Sequence, residues 1–155
     1  MFKEMRRQDR KLDAAETEEI LKNTTFGVLS TVGRDNRPYG TPLNYVYMHD
    51  RIYFHCASEG QKLENIRSNR SVSFCVVGEA VPLGDQFAMK YRSAIVFGDA
   101  CEVDGDEKLE ALLALVAKYS PDEYHEKGRE YAVKAFDKTA VIRIDIENIT
   151  GKARK

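Results

Sequence analysis

The run Ile52-Tyr-Phe-His-Cys-Ala-Ser-Glu-Gly-Gln-Lys62 passes from β-forming residues through small ones into a helix-forming segment. A strand that enters a helix in this way leaves the N–H groups of the first helical turn without acceptors, and the helix dipole adds positive potential there. Gly60 lets an anion approach the backbone and Lys62 adds a full positive charge, so the run predicts a site suited to a phosphate. The same spacing also reads as an ordinary strand-to-helix turn with Lys62 in solvent. His55 stands on the strand side of the loop, where an imidazole titrating near neutral pH either orients or protonates a bound molecule or serves as a hydrogen-bonded structural residue. Cys56, directly after it, tunes such a site or is inert.

Thr41-Pro-Leu-Asn-Tyr45 is a second segment of interest. Pro42 removes a ladder donor and so belongs at an edge or bulge, where free backbone groups could meet a planar heterocycle. A proline there also simply blocks edge-to-edge aggregation. His49, His55 and His125 are scattered, so no preorganised zinc site is expected. The cysteines are odd in number and lack CxxC spacing, and Cys75 and Cys101 are expected as small core residues. With no glycine-rich dinucleotide fingerprint, tightly bound NAD(P) is not expected.

The elements that must position these residues follow from pattern. Asp13-Ala-Ala-Glu16 is an N-cap with Glu at N3 and opens a helix to about Asn23, with Ile20 and Leu21 on its buried side. Strands are predicted over Phe26–Val32, Tyr39–Met48, Arg51–His55, Ser71–Val77, a bent Tyr91–Val103 with a bulge at Gly98, and Thr139–Ile146 with one wet face. A short helix fits within 60–69. A longer helix over 104–119 carries Leu109, Leu112, Leu113 and Val116 as its apolar face and stops before Pro121, and a second helical stretch covers 122–134. Residues 78–90 are expected as loop and 151–155 as a solvated tail. Six strands joined mostly by short turns favour an antiparallel barrel decorated by helices over a doubly wound sheet.

Composition narrows the partners. At 155 residues, 43% of them hydrophobic, the chain suits one domain spanning 1–155. Lys and Arg number 24 against 25 Asp and Glu, so no global field draws it to nucleic acid or to anionic membrane. No apolar stretch approaches the roughly 20 residues of a spanning helix, and the charged N-terminus has no apolar signal region, so a cytoplasmic location is expected.

Taken in order, Met5-Arg-Arg-Gln-Asp-Arg10, Gly40-Thr-Pro-Leu-Asn-Tyr45, the 52–62 run, Asn69-Arg-Ser-Val-Ser-Phe74, Tyr91-Arg-Ser-Ala-Ile-Val-Phe-Gly98 and Ile149-Thr-Gly-Lys152 resemble the pyridoxamine phosphate oxidase-like FMN-binding split barrels, and within them the 5-nitroimidazole-resistance, Nim-type, proteins. The resemblance implies a homodimer with FMN in a groove between subunits. It places Thr41, Pro42, Leu43, Asn44, Tyr45, His55, Cys56 and Ala57 beside the flavin ring. Ser58, Gly60, Gln61 and Lys62 would hold its phosphate, and Tyr91, Arg92 and Ser93 would arrive from the second subunit. His55 matches the Nim-type histidine and is the candidate catalytic residue. The implied activity is FMN-dependent reduction of small electron-poor compounds such as nitroimidazoles by an external donor. The alternatives are a flavin sensor or store without turnover, or a barrel holding haem or another flavin. With no Trp and an end at Lys155, the chain is not expected to oxidise pyridoxamine phosphate.

Overall fold

A computed structural model describes residues 2–155. After one 3-10 turn at Gln8–Arg10, the chain forms α1 (Ala14–Asn23), β1 (Gly27–Val32), β2 (Pro38–Leu43), β3 (Val46–Met48), β4 (Arg51–Ala57), α2 (Gln61–Ser68), β5 (Ser71–Leu83), β6 (Ala88–Val103), α3 (Gly105–Tyr119), α4 (His125–Ala135) and β7 (Thr139–Arg154). All pairings between strands are antiparallel, in the order β2-β1-β5-β6-β7-β4-β3. The two edge strands, β2 and β3, are consecutive in sequence and joined only by Asn44 and Tyr45. The sheet therefore curls back on itself through a covalent link rather than a hydrogen-bonded seam, which makes it a split barrel.

That link is why one expected strand, 39–48, is observed as two and why there are seven strands instead of six. Tyr45 turns fully into the core, where its hydroxyl donates to Leu21 O at 2.7 Å and its ring packs edge-on against Phe74. Its backbone leaves the ladder: Tyr45 N–H donates to Tyr119 Oη at 2.9 Å, and that hydroxyl lies 2.8 Å from Tyr45 O and 2.6 Å from Thr25 O, both acceptors. Lys118 Nζ lies 4.0 Å from the Tyr45 ring centroid, and burial lowers its pKa to about 8.

Two cores result. Leu29, Phe54, Phe74, Val96 and Ile142 fill the barrel, which is closed by Ile20 and Leu21 of α1 and by Leu63 and Ile66 of α2. A second cluster, with Tyr53, Val103, Leu112, Leu115, Ala132 and Val141, lies between the outer face of the sheet and the α3–α4 pair. α1 starts as the sequence predicts, Asp13 accepting from Glu16 N–H at 2.8 Å.

Several expectations are corrected. Residues 78–90 are not loop: β5 and β6 continue past the end of β7 as a two-stranded arm, with Val81 opposite Lys90 and Pro82 opposite Met89, turning at 84–86. Beyond the body of the sheet each strand has a single partner, so the missing N–H of Pro82 is tolerated. Residues 151–154 are not a tail. β7 runs on to Arg154 along β6, burying Gly151 and Ala153. The buried side of α3 is Lys108, Ala111, Leu112 and Leu115, turned from the predicted stripe, because Lys108 lays its stem inward with Nζ 4.3 Å from the Phe136 ring. The expected wet face of β7 is covered at Val141 by the α3–α4 pair. Cys75 is half-buried outside either core, since its position alternates with the inward-facing ones, while Cys101 is half-buried and packs against the second core. The bulge at Gly98 is present, and a Cβ there would sit 2.1 Å from Asp145 O.

Candidate functional site

β4 alternates inward and outward, and this alternation divides the predicted site. Ile52, Phe54 and Cys56 face the barrel core, whereas Tyr53 belongs to the outer cluster and His55 and Ala57 are exposed on that same outer side. The same split occurs on β2 and the link: Thr41 and Leu43 are half-buried, Pro42 and Asn44 are exposed, and Tyr45 is buried with both its backbone groups engaged. The outward set of Pro42, Asn44, His55 and Ala57 is thus accessible to a ligand on the barrel surface. Thr41 Oγ1 is buried without a hydrogen-bond partner among the described residues.

At the end of β4 the chain runs through Ser58 to Gly60, which takes φ 128° and ψ 163° as the N-cap of α2. A Cβ at Gly60 would meet nothing within 4 Å, so the glycine is required by the backbone angle and not by space. Gly60 O accepts from Leu63 N–H at 2.9 Å and Glu64 N–H at 3.1 Å. The N–H groups of Gln61 and Lys62, one residue further out, have no intrahelical acceptor and point to the helix entrance. Lys62 is half-buried beside this entrance. Arg67, four residues before the start of β5 and unremarked in the sequence, adds a second cation: its Nη2 donates to Ser58 O at 3.5 Å and to Glu102 Oε2 at 3.4 Å. Asn65 docks α2 on the sheet by donating to Thr31 Oγ1 at 2.9 Å.

His55 faces a cavity of about 200 Å³ between the outer sheet surface and the α3–α4 pair, with Asn44, Leu115, Val116, Tyr119 and Tyr131 among its walls. Partial desolvation against this wall lowers the imidazole pKa, which favours the neutral ring although its outer edge is exposed. His49 and His125 are tied to Glu110 and to Ser120 O, each at 2.8 Å; His55 has no hydrogen-bond partner among the described residues. Its hydrogen-bonding capacity is therefore left for a ligand, and a neutral imidazole orients better than it protonates. Burial raises the Cys56 thiol pKa, with Lys62 opposing, so Cys56 is a thiol facing the core and not a thiolate nucleophile.

Tyr91, Arg92 and Ser93 are not brought to this place within one chain. His55 pairs with Val141 near the start of β7, and Tyr91 with Arg154 at its end. At about 3.3 Å per residue, on the order of 40 Å of strand contour separates them. Sequence reasoning missed Tyr119 and Tyr131, which wall the cavity, because their contact with the 41–57 region comes only from the docking of α3 and α4.

The architecture is that of a split barrel with a cavity on its outer face and, beyond the end of β4, a helix entrance flanked by Lys62. The chain belongs to the pyridoxamine 5'-phosphate oxidase family, whose sequence profile matches residues 13–153. No curated protein matches it. Similar solved structures include a candidate 5-nitroimidazole antibiotic resistance protein from Bacteroides thetaiotaomicron, 23% identical over 92% of this chain and 85% of that one, with a TM-score of 0.78. A flavocytochrome from Azotobacter vinelandii is 22% identical over 98% of this chain and 72% of its own, with a TM-score of 0.80. An FAD-binding protein from Mycobacterium smegmatis is 27% identical over 94% and 98%, with a TM-score of 0.65. Among the described residues, no helix is long and apolar enough to cross a membrane.

Proposed function

We propose that this protein is a flavoprotein that holds FMN on the outer face of its barrel and reduces small electron-poor compounds, nitroimidazoles among them. The observation that carries the proposal is the Ser58–Lys62 cradle: a glycine at φ 128°, free N–H groups at the entrance of α2 and a half-buried lysine, next to the exposed face of His55 and Ala57. One helix entrance with one lysine suits a single terminal phosphate, hence FMN over a dinucleotide. Flavin binding by similar proteins, an FAD-binding protein and a flavocytochrome, supports the class of cofactor.

When bound, FMN supplies the redox chemistry. The residues of this chain do the rest. Gln61 and Lys62 fix the phosphate end, and Pro42, Asn44 and Ala57 line the side of the ring. Neutral His55 offers a hydrogen bond to a substrate in the cavity of about 200 Å³, whose Leu115 and Val116 walls exclude water and limit substrates to small, largely apolar molecules. A second copy of the chain completes the groove. Tyr91–Ser93 cannot reach the cradle of their own chain, and the outer faces of β5 and β6 expose Val77, Ile95 and Phe97, an apolar patch that a partner subunit would cover.

Anaerobic stopped-flow mixing of the reduced protein with 2-methyl-5-nitroimidazole tests the reaction. Reoxidation of the bound flavin faster than that of free FMN is expected. A rate no faster than free FMN contradicts the reductase function and favours a binding protein without turnover.

A further inference from the structure

Three of the sequence segments singled out above have no part in the cradle or the histidine cavity of their own chain, yet the fold brings them together. The N-terminal stretch lies across the end of β7, with Lys11 bridged to Lys152 and Leu12 N–H donating to Gly151 O at 3.0 Å. On the sheet below, Tyr91 stands directly opposite Arg154, and Ser93 opposite Lys152. Residues directly opposite in an antiparallel pair share a face, so Tyr91, Ser93, Lys152 and Arg154 project from one side of β6 and β7. Gly151 and Ala153 take the buried side. Arg10 then closes over this face, its Nη1 donating to Tyr91 Oη at 3.3 Å, while Lys152 Nζ lies 5.7 Å from the centroid of the same ring.

The charges here are unbalanced in a specific way. Arg7 is paired with Asp9, and Lys155 with Glu16 at 3.1 Å. Arg10, Lys152 and Arg154 are half-buried, and among the described residues none has a carboxylate within 4 Å. Arg10 and Arg154 also border an open cleft of about 410 Å³. The hydrogen bond from Arg10, reinforced by Lys152, lowers the pKa of the Tyr91 phenol, which reports the positive field at this point. Arg10 and Lys152 approach one hydroxyl and Arg154 stands opposite it on the same face, while the carboxylates that border the cleft, Asp9 and Glu16, are engaged by Arg7 and Lys155; such a set matches an oxyanion of more than one charge.

We propose that Arg10, Tyr91, Lys152 and Arg154 form a second anion site, which takes the phosphate or pyrophosphate group of a nucleotide. Two nucleotides could present that group: a reduced pyridine nucleotide serving as electron donor, or the flavin held by a partner subunit. The site itself does not depend on the flavin proposal, and only the choice between these two sources rests on it.

Calorimetric titration of the purified full-length protein with inorganic pyrophosphate tests the site. The wild type is expected to bind, and Arg10→Gln/Lys152→Gln to bind about tenfold more weakly or worse. Tyr91→Phe keeps the ring and the ladder and is expected to weaken binding to a lesser degree with an unchanged melting temperature. Absence of pyrophosphate binding to the wild type, or equal affinity in all three proteins, overturns the site. The source is read from the same double variant. Full flavin content with a raised NADPH concentration for half-maximal flavin reduction assigns the anion to the donor. Loss of flavin together with pyrophosphate binding assigns it to the partner's flavin.

Discussion

Lys62 and His55 lie on either side of one loop and make unlike contributions. The lysine is half-buried at the entrance of a helix whose first N–H groups are free, so on the proposed function its ammonium would strengthen a phosphate contact in partly desolvated surroundings. Lys62→Ala is expected to weaken FMN binding by about 1.5–3 kcal/mol, the range for a hydrogen bond to a charged group, as read by fluorescence titration of the cofactor-stripped protein. Unchanged affinity would place the phosphate elsewhere. For His55, burial disfavours the imidazolium, so the folded protein releases this proton more readily than the unfolded chain, whose histidine titrates near about 6.5. The sign follows from linkage: the unfolded state holds more protons at mildly acid pH, and stability rises with pH through this window. Relative to His55→Gln, the wild type should therefore gain stability between about pH 5 and pH 7 and stay level above, by a small amount since the side chain is exposed. Urea unfolding of both proteins across that range measures it. The residue types at both positions were evident from sequence, but the lack of a partner for His55 was not. It depends on which side of β4 the ring leaves and on what α3 and α4 leave open.

At the scale of elements, Tyr119 shows how a distant helix shapes the site. Its hydroxyl takes over the backbone of Tyr45 and, with Thr25 O, pins the link between β2 and β3 to the end of α3. Removing it leaves a buried backbone donor unmatched. Tyr119→Phe is expected to cost about 1–3 kcal/mol in urea unfolding, and a loss below a few tenths would mean that water replaces the hydroxyl. The elements that sequence pattern revealed are those with local signals, such as the Asp13 cap and the alternation of Val72, Phe74 and Val76 on β5. Those it missed lack such signals. Pro82 and Gly84 conceal the arm of β5 and β6, whose pairing is set by the neighbouring strand. Gly151 and Ala153 look like tail residues because the face they bury beneath the N-terminal segment admits only small side chains. The stripe on α3 was misjudged because Lys108 counts as polar in any pattern, although its stem is buried and its charge rests on Phe136.

Across the whole molecule, the split barrel is held by two cores on opposite sides of one sheet, and the cavity beside His55 lies on the outer side, where α3 and α4 cover only part of the sheet. The barrel class was legible from strand count and short turns, and the split was not, since it rests on Tyr45 leaving the ladder. The same geometry separates Tyr91–Ser93 from the cradle of their own chain and leaves an apolar outer patch on β5 and β6. A flavin site shared between two copies accounts for both. Sedimentation velocity followed at a flavin absorption band, with mass analysis of the ligand released on denaturation, tests this most directly. The expected result is a single species of twice the chain mass that carries the flavin absorbance and releases FMN, one per chain. A colourless monomer, or a dimer that releases haem or FAD instead, would contradict it.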